Sequence, residues 1–290
     1  MPIFPSDLTL EAAQQLCGGE KIRSTPGVRV AESLRAGYCL TAIPITDEAG
    51  SEAMGRPQGR YLTIDLRPYF QRQEHFFPRG VRCMAQELRT LLPPLPDGSC
   101  VLVVGLGNRS MACDAVGPTA VDNLLVTRHM VAEELLFSSF RPVAAIATGV
   151  VGQTGVEAAQ LIAGVVQQIR PAAVIVIDAL CARSRQRLCA TVQLSDTGLV
   201  PGSGVANHRH PIDQDSLGGP GLSVGIPTVI AGATLARELT GADAQRDDSL
   251  FVTPRDVDSR VRELGRLVGY GITAALQPGL TVEDISGLLG

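Results

Sequence analysis

The sequence predicts an α/β protein whose mostly parallel sheet is covered by helices on both faces. Three observations carry this. Cys100–Val104, Val143–Ala147 and Ala173–Ile177 are short runs that are nearly all apolar, and a strand apolar on both faces has to be buried on both. Between them lie segments with helical spacing, and strands alternating with helices make parallel crossovers. Two of these runs also lead into an aspartate: Asp114, after the glycine turn Gly105-Leu-Gly-Asn108, and Asp178, directly after Ile177. The carboxyl edge of a parallel sheet is where α/β proteins carry their sites.

The elements follow in order. Residues 1 to about 35 show little periodicity, although Asp7–Leu16 reads as a helix capped by Ser6 or Asp7. Tyr38–Ile45 and Arg60–Leu66 read as strands around a Gly/Pro-rich connection, and Val81–Leu92 as a helix stopped by Pro93-Pro94. Pro118 opens a helix expected to reach about Leu136, with Val121, Leu124, Leu125, Ala132, Leu135 and Leu136 on one stripe. His129 falls on that stripe, which predicts a buried, satisfied histidine. Val143–Ala147, Val156–Gln168, Ala173–Ile177 and Ala190–Leu194 read as strand, helix, strand and strand. Residues 196–223, rich in Gly, Pro, Asp and His, form a long loop of the kind that is usually functional or mobile. Thr253-Pro-Arg-Asp256 starts a helix with Thr253 as cap, and keeps Val257, Val261, Leu264, Val268 and Ile272 inward. No repeat or boundary divides the chain, so residues 1–290 are expected to form a single domain.

Composition narrows the function. The 290 residues are 45% hydrophobic, enough for one large core or two small ones. A net charge of −4, a single lysine (Lys21) and the absence of Trp leave no basic stripe or stacking platform, which argues against a nucleic-acid partner. No apolar stretch reaches the roughly 20 residues that span a bilayer, and Met1–Asp7 lacks the basic and apolar regions of a signal peptide. Seven cysteines without a CxxC suit reduced thiols in a cytoplasm.

The chemistry then rests on Asp114 and Asp178. Two carboxylates brought together share a proton and can activate water. The plainer readings are a helix cap for Asp114, and a cap or a salt bridge to Arg183 or Arg185 for Asp178. The glycine loop also resembles a dinucleotide fingerprint, but Ser110 stands at the third glycine. His208 and His210, with Asp213 and Asp215, lack an evident third metal ligand and read as a polar loop. Cys113 and Cys181 have no local base and read as small apolar filler. Ser203 lacks the strand and G-x-S-x-G elbow of a serine nucleophile.

Several segments in order resemble the germination proteases of endospore-forming bacteria: Gly105-Leu-Gly-Asn108, Asp114-Ala-Val-Gly-Pro118, Asn123–His129, Val174–Leu180, Pro201-Gly-Ser-Gly-Val205 and Val252–Asp258. Asp7-Leu-Thr-Leu-Glu-Ala12 resembles the family's processing segment. The resemblance implies a fold similar to hydrogenase maturation proteases (phosphorylase/hydrolase-like) and an aspartic-type endopeptidase of small acid-soluble spore proteins. It further implies a homotetramer in the cytoplasm of the forespore or spore core, with no cofactor, membrane or nucleic-acid partner. Asp114 and Asp178 take the catalytic positions, and Gly105, Gly107 and Asn108 form a substrate or oxyanion loop. Self-processing of a zymogen falls between Asp7 and Leu8, making residues 1–7 a short propeptide. Arg109-Ser-Met-Ala-Cys113, Ala206 and His208 depart from the family pattern. Two other readings stay open: a metal-dependent maturation-type protease using His129, and a nucleotide-binding module using Gly105–Ser110.

Overall fold

The structure is a computed structural model that describes residues 6–17, 25–133, 137–198, 212, 218–241 and 250–290. The first helix is α1 (Thr9–Cys17), and the hairpin β1 (Ala31–Arg35) and β2 (Tyr38–Ile45) follows. α2 (Glu48–Met54) occupies the Gly/Pro-rich connection to β3 (Gly59–Asp65); Asp47 caps it by accepting from the Gly50 amide. After α3 (Arg67–Phe70) and α4 (Phe76–Leu91) the α/β half begins. It comprises β4 (Val101–Gly105), α5 (Val116–Asp122), α6 (Arg128–Glu133), β5 (Val143–Ala147), α7 (Val151–Thr154) and α8 (Ala158–Ile169). The chain continues through β6 (Ala173–Ala182), β7 (Thr191–Ser195), β8 (Gly221–Ala231), α9 (Gly232–Thr240), β9 (Phe251–Val252), α10 (Val257–Leu276) and α11 (Val282–Leu289).

The strands form one sheet in the order β1-β2-β3-β7-β8-β6-β4-β5, with β9 on β8. Only β8-β6-β4-β5 run parallel; the other pairings are antiparallel. The α/β class holds, but the parallel character belongs to one half, because β7 returns antiparallel between β3 and β8.

Alternation explains the apolar runs. Val101, Val103, Ile175 and Ile177 pack with Leu264, Leu267 and Val268 of α10 and Met84 and Leu88 of α4. Their neighbours Leu102, Val104, Val174 and Val176 point the other way, onto Ile162, Val165 and Ile169 of α8. Successive strand residues serve opposite faces, so a sheet covered twice needs no polar position.

Five expectations need correction. The helix from Pro118 breaks after Asp122, because the amides of Leu125 and Thr127 go to the Thr273 hydroxyl and the Val143 carbonyl. That break shifts the phase of the stripe, so His129 is exposed rather than buried. β6 does not stop at Ile177 but runs to Ala182, and β8 starts at Gly221, inside the expected loop. Thr253 does not cap α10, which begins at Val257; its hydroxyl donates to the Thr228 carbonyl at 2.8 Å. Ser203, Ala206, His208, His210, Asp213 and Asp215 lie outside the described residues.

Candidate active site

Past Gly105 the chain continues for one residue along the middle of β6, where the Leu106 amide donates to the Ile177 carbonyl at 2.9 Å. It then closes into a single turn of 3₁₀-helix, Ala112–Asp114. Three features hold Asp114 there. Its own amide donates to the Met111 carbonyl at 2.8 Å. Its carboxylate Oδ2 accepts from the Asn108 amide at 2.7 Å. Gly107, at φ +110°, lets the loop close on it, since a Cβ at 107 would lie 2.0 Å from the Asp114 carbonyl oxygen.

The turn also packs on β6 and β8. The joint is tight: a Cβ on Gly105 would sit 2.3 Å from the Gly117 carbonyl oxygen, and one on Gly117 would sit 2.3 Å from that of Leu106 and 2.8 Å from that of Ile177. β4 ends at the Gly105–Ile177 pairing, so the next residue of β6, Asp178, lies beside the open end of β4 while still paired with Gly225 of β8. Asp178 is 6% exposed and accepts from the Ala179 amide at 2.9 Å. Asp114 and Asp178 thus reach the same end of the sheet, on adjoining backbone segments. Neither caps a helix: α5 is capped at Ala115 without a side-chain bond, and Asp178 lies within a strand.

The nearby thiols are poor nucleophiles. Burial, then the charge of Asp114, raises Cys113 above the ordinary thiol value, and burial pushes Cys181 up to about 12. A thiol needs the opposite shift to attack at neutral pH. The loop amides expected to face an oxyanion are engaged at Leu106 and Asn108, with Ile177 and Asp114 respectively. Among the described residues no group of three or more His, Cys, Asp or Glu is placed to hold a metal ion. His129, the candidate ligand of the metal-dependent reading, is exposed on α6.

The Asp7–Leu8 segment is built into the far end of β6. Asp7 donates its amide to the Cys181 carbonyl at 3.0 Å and accepts the Cys181 amide on Oδ2 at 2.8 Å. Gln193 donates to the Asp7 carbonyl and accepts from the Thr9 amide. Leu8 is fully buried against Leu180, Ala182 and Leu188. Glu11, in the first turn of α1, accepts the amides of Arg183 and Ser184 at 2.6 and 2.9 Å and pairs with Arg187 at 3.2 Å.

Burial raises the Glu11 carboxyl above its ordinary value of 4.5, against the hydrogen bonds of Ser6, Arg183 and Ser184 and the charge of Arg187. The folded chain therefore holds this proton more tightly than the unfolded chain does. The resulting stability is fully present below pH 4.5 and is lost as pH rises through the raised value. The stability difference between wild type and Glu11→Gln, from urea midpoints, is expected to move against the wild type as pH rises from 4.5 to 7. A pH-independent difference would contradict this.

A family model described as germination protease matches residues 6–241. The germination protease of Clostridium perfringens is 36% identical over 286 residues, covering 86% of this chain and 88% of the relative. That of Caldanaerobacter subterraneus subsp. tengcongensis is 36% identical over 320 residues, with 98% and 97% coverage. That of Priestia megaterium is 43% identical over 274 residues, with 89% and 69% coverage. Among solved structures, the [NiFe] hydrogenase maturation protease HycI from Thermococcus kodakarensis KOD1 aligns with 64% of this chain and 98% of its own, at TM-score 0.35 and 13% identity.

Proposed function

The chain belongs to the germination protease family, and from that membership we propose an endopeptidase of small acid-soluble spore proteins, with water activated between Asp114 and Asp178. Membership makes it a peptidase of spore germination; substrate, catalytic pair and processing go further. The observation that supports the pair most is the packing of the Asp114 turn on the strand of Asp178, beside a joint that admits no Cβ at Gly117, which would lie 2.8 Å from the Ile177 carbonyl oxygen.

In this reading one carboxyl stays protonated while the other is ionised, because like charges placed together disfavour double ionisation. The ionised partner takes a proton from water as it attacks the peptide carbonyl. The protonated partner donates to that carbonyl oxygen as negative charge develops on it. The Asn108 amide fixes the direction in which Asp114 presents its carboxylate. Mass analysis of a purified small acid-soluble spore protein incubated with the chain, before and after removal of residues 1–7, provides the test. Defined fragments ending in an acidic residue are expected; an intact substrate beside a folded enzyme would contradict the assignment.

Self-processing between Asp7 and Leu8 is part of the proposal, as are a homotetramer and residence in the spore core. Because Leu8 is fully buried and Asp7 is paired with Cys181, the bond is cut only after residues 6–11 leave their seat. The chain is therefore expected to keep its N-terminal mass while folded at neutral pH. Mild denaturant that frees the segment, or Gln193→Ala, which removes the bonds to the Asp7 carbonyl and the Thr9 amide, should release residues 1–7 in an active preparation. Loss of residues 1–7 from the seated chain at the same rate would contradict this order of events.

A further inference from the structure

The pairing of β6 with β8 contains one irregularity. Leu180 faces Pro227 and Cys181 faces Val229, so Thr228 is an extra residue with no partner in β6. Such a bulge frees a residue from the ladder and re-aims its side chain. Thr228 is fully buried, and its hydroxyl donates to the Cys113 carbonyl at 2.6 Å. That carbonyl belongs to the peptide bond that carries the amide nitrogen of Asp114. The Thr228 carbonyl in turn accepts the hydroxyl of Thr253, at the entry to α10, at 2.8 Å. A chain of two hydrogen bonds thus runs from Thr253 through the bulge to the peptide plane of Asp114.

We infer that Thr228 is a positioning residue for Asp114, and that Thr253 supports it from behind. The inference rests on the reading of Asp114 as catalytic. The other restraints act on different atoms: Asn108 on the carboxylate, Met111 on the amide nitrogen. Thr228 grips the carbonyl of the preceding peptide bond from a neighbouring strand, and so ties the turn to the sheet that carries Asp178. The Val252-Thr-Pro segment acquires a role here that its sequence reading as a helix cap did not give it.

The test compares Thr228→Val, which keeps the shape and removes the hydroxyl, with Thr228→Ser, which keeps the hydroxyl. Steady-state cleavage of a small acid-soluble spore protein by the processed chain, freed of residues 1–7, is expected to show kcat reduced about tenfold in Thr228→Val, with KM within about twofold. Thr228→Ser should restore most of kcat. Combined with Asp114→Asn, Thr228→Val should reduce the residual rate no further, because the residue acts through Asp114. Wild-type kcat in a folded Thr228→Val, or equal losses with and without Asp114→Asn, would overturn the inference. If Thr228→Val does not fold, Thr253→Val takes its place: a fall in kcat smaller than that of Asp114→Asn is expected, and an unchanged kcat would overturn the relay. Full activity in Asp114→Asn alone would instead remove the catalytic reading on which the relay depends.

Discussion

Asp114→Asn and Asp178→Asn are each expected to lower kcat by roughly 10²- to 10⁴-fold, the range in which positioned acid–base groups act, while the folded structure persists. Asparagine retains the shape and one carbonyl oxygen, so the Asn108 amide still finds an acceptor at 114 and the Ala179 amide one at 178. What it removes is the capacity to take up or give a proton. KM should change little, because the lost interaction is made in the transition state. A loss confined to KM, or a variant turning over at the wild-type rate, would contradict the pair. Circular dichroism and thermal unfolding of the same preparations separate chemistry from folding.

Gly117→Ala is expected to be strongly damaging for a single added methyl group. The added Cβ would lie 2.3 Å from the Leu106 carbonyl oxygen, 2.6 Å from the Leu106 nitrogen and 2.8 Å from the Ile177 carbonyl oxygen. All three are backbone atoms, so no side chain can turn aside to make room. Overpacking of this kind costs about 1–3 kcal/mol and more where the backbone is pinned. For a chain of this length that lowers Tm by roughly 2–4 °C per kcal/mol. Relief requires the loop carrying Asp114 to part from the strand carrying Asp178. Activity should therefore fall further than stability. A Gly117→Ala variant with wild-type Tm and kcat would show that the joint is not as tight as described.

The α/β half was legible because its signals are local. Continuous apolar runs at Val101, Val143 and Ala173 mark strands buried on both faces, and the aspartates following two of them mark the open sheet edge. β8 was missed because Gly221, Gly225 and Pro227 read as breakers. In the fold Gly225 is small because Leu180 lies over it, with its Cδ1 2.2 Å from where a Cβ would be, and Pro227 sits beside the bulge. Those reasons come from neighbouring strands and leave no trace in the segment itself. His129 was misplaced because the hydrogen bonds that end α5 come from Thr273 and Val143, remote in sequence. Asp114 and Asp178 could be picked out as candidates, but their approach across 63 intervening residues depends on how the turn after β4 packs on β6 and β8. Thr228 and Glu11 had no local signal: each acts on a backbone segment more than a hundred residues away.

The most direct measurement is kcat of the double variant Asp114→Asn/Asp178→Asn beside the two single variants, on one spore-protein substrate at one pH. Two carboxylates working on one water are a single device, so removing the second after the first should cost little. The double variant is expected to match the weaker single variant within about threefold. A double variant slower by the product of the two single losses would mean that the aspartates act independently.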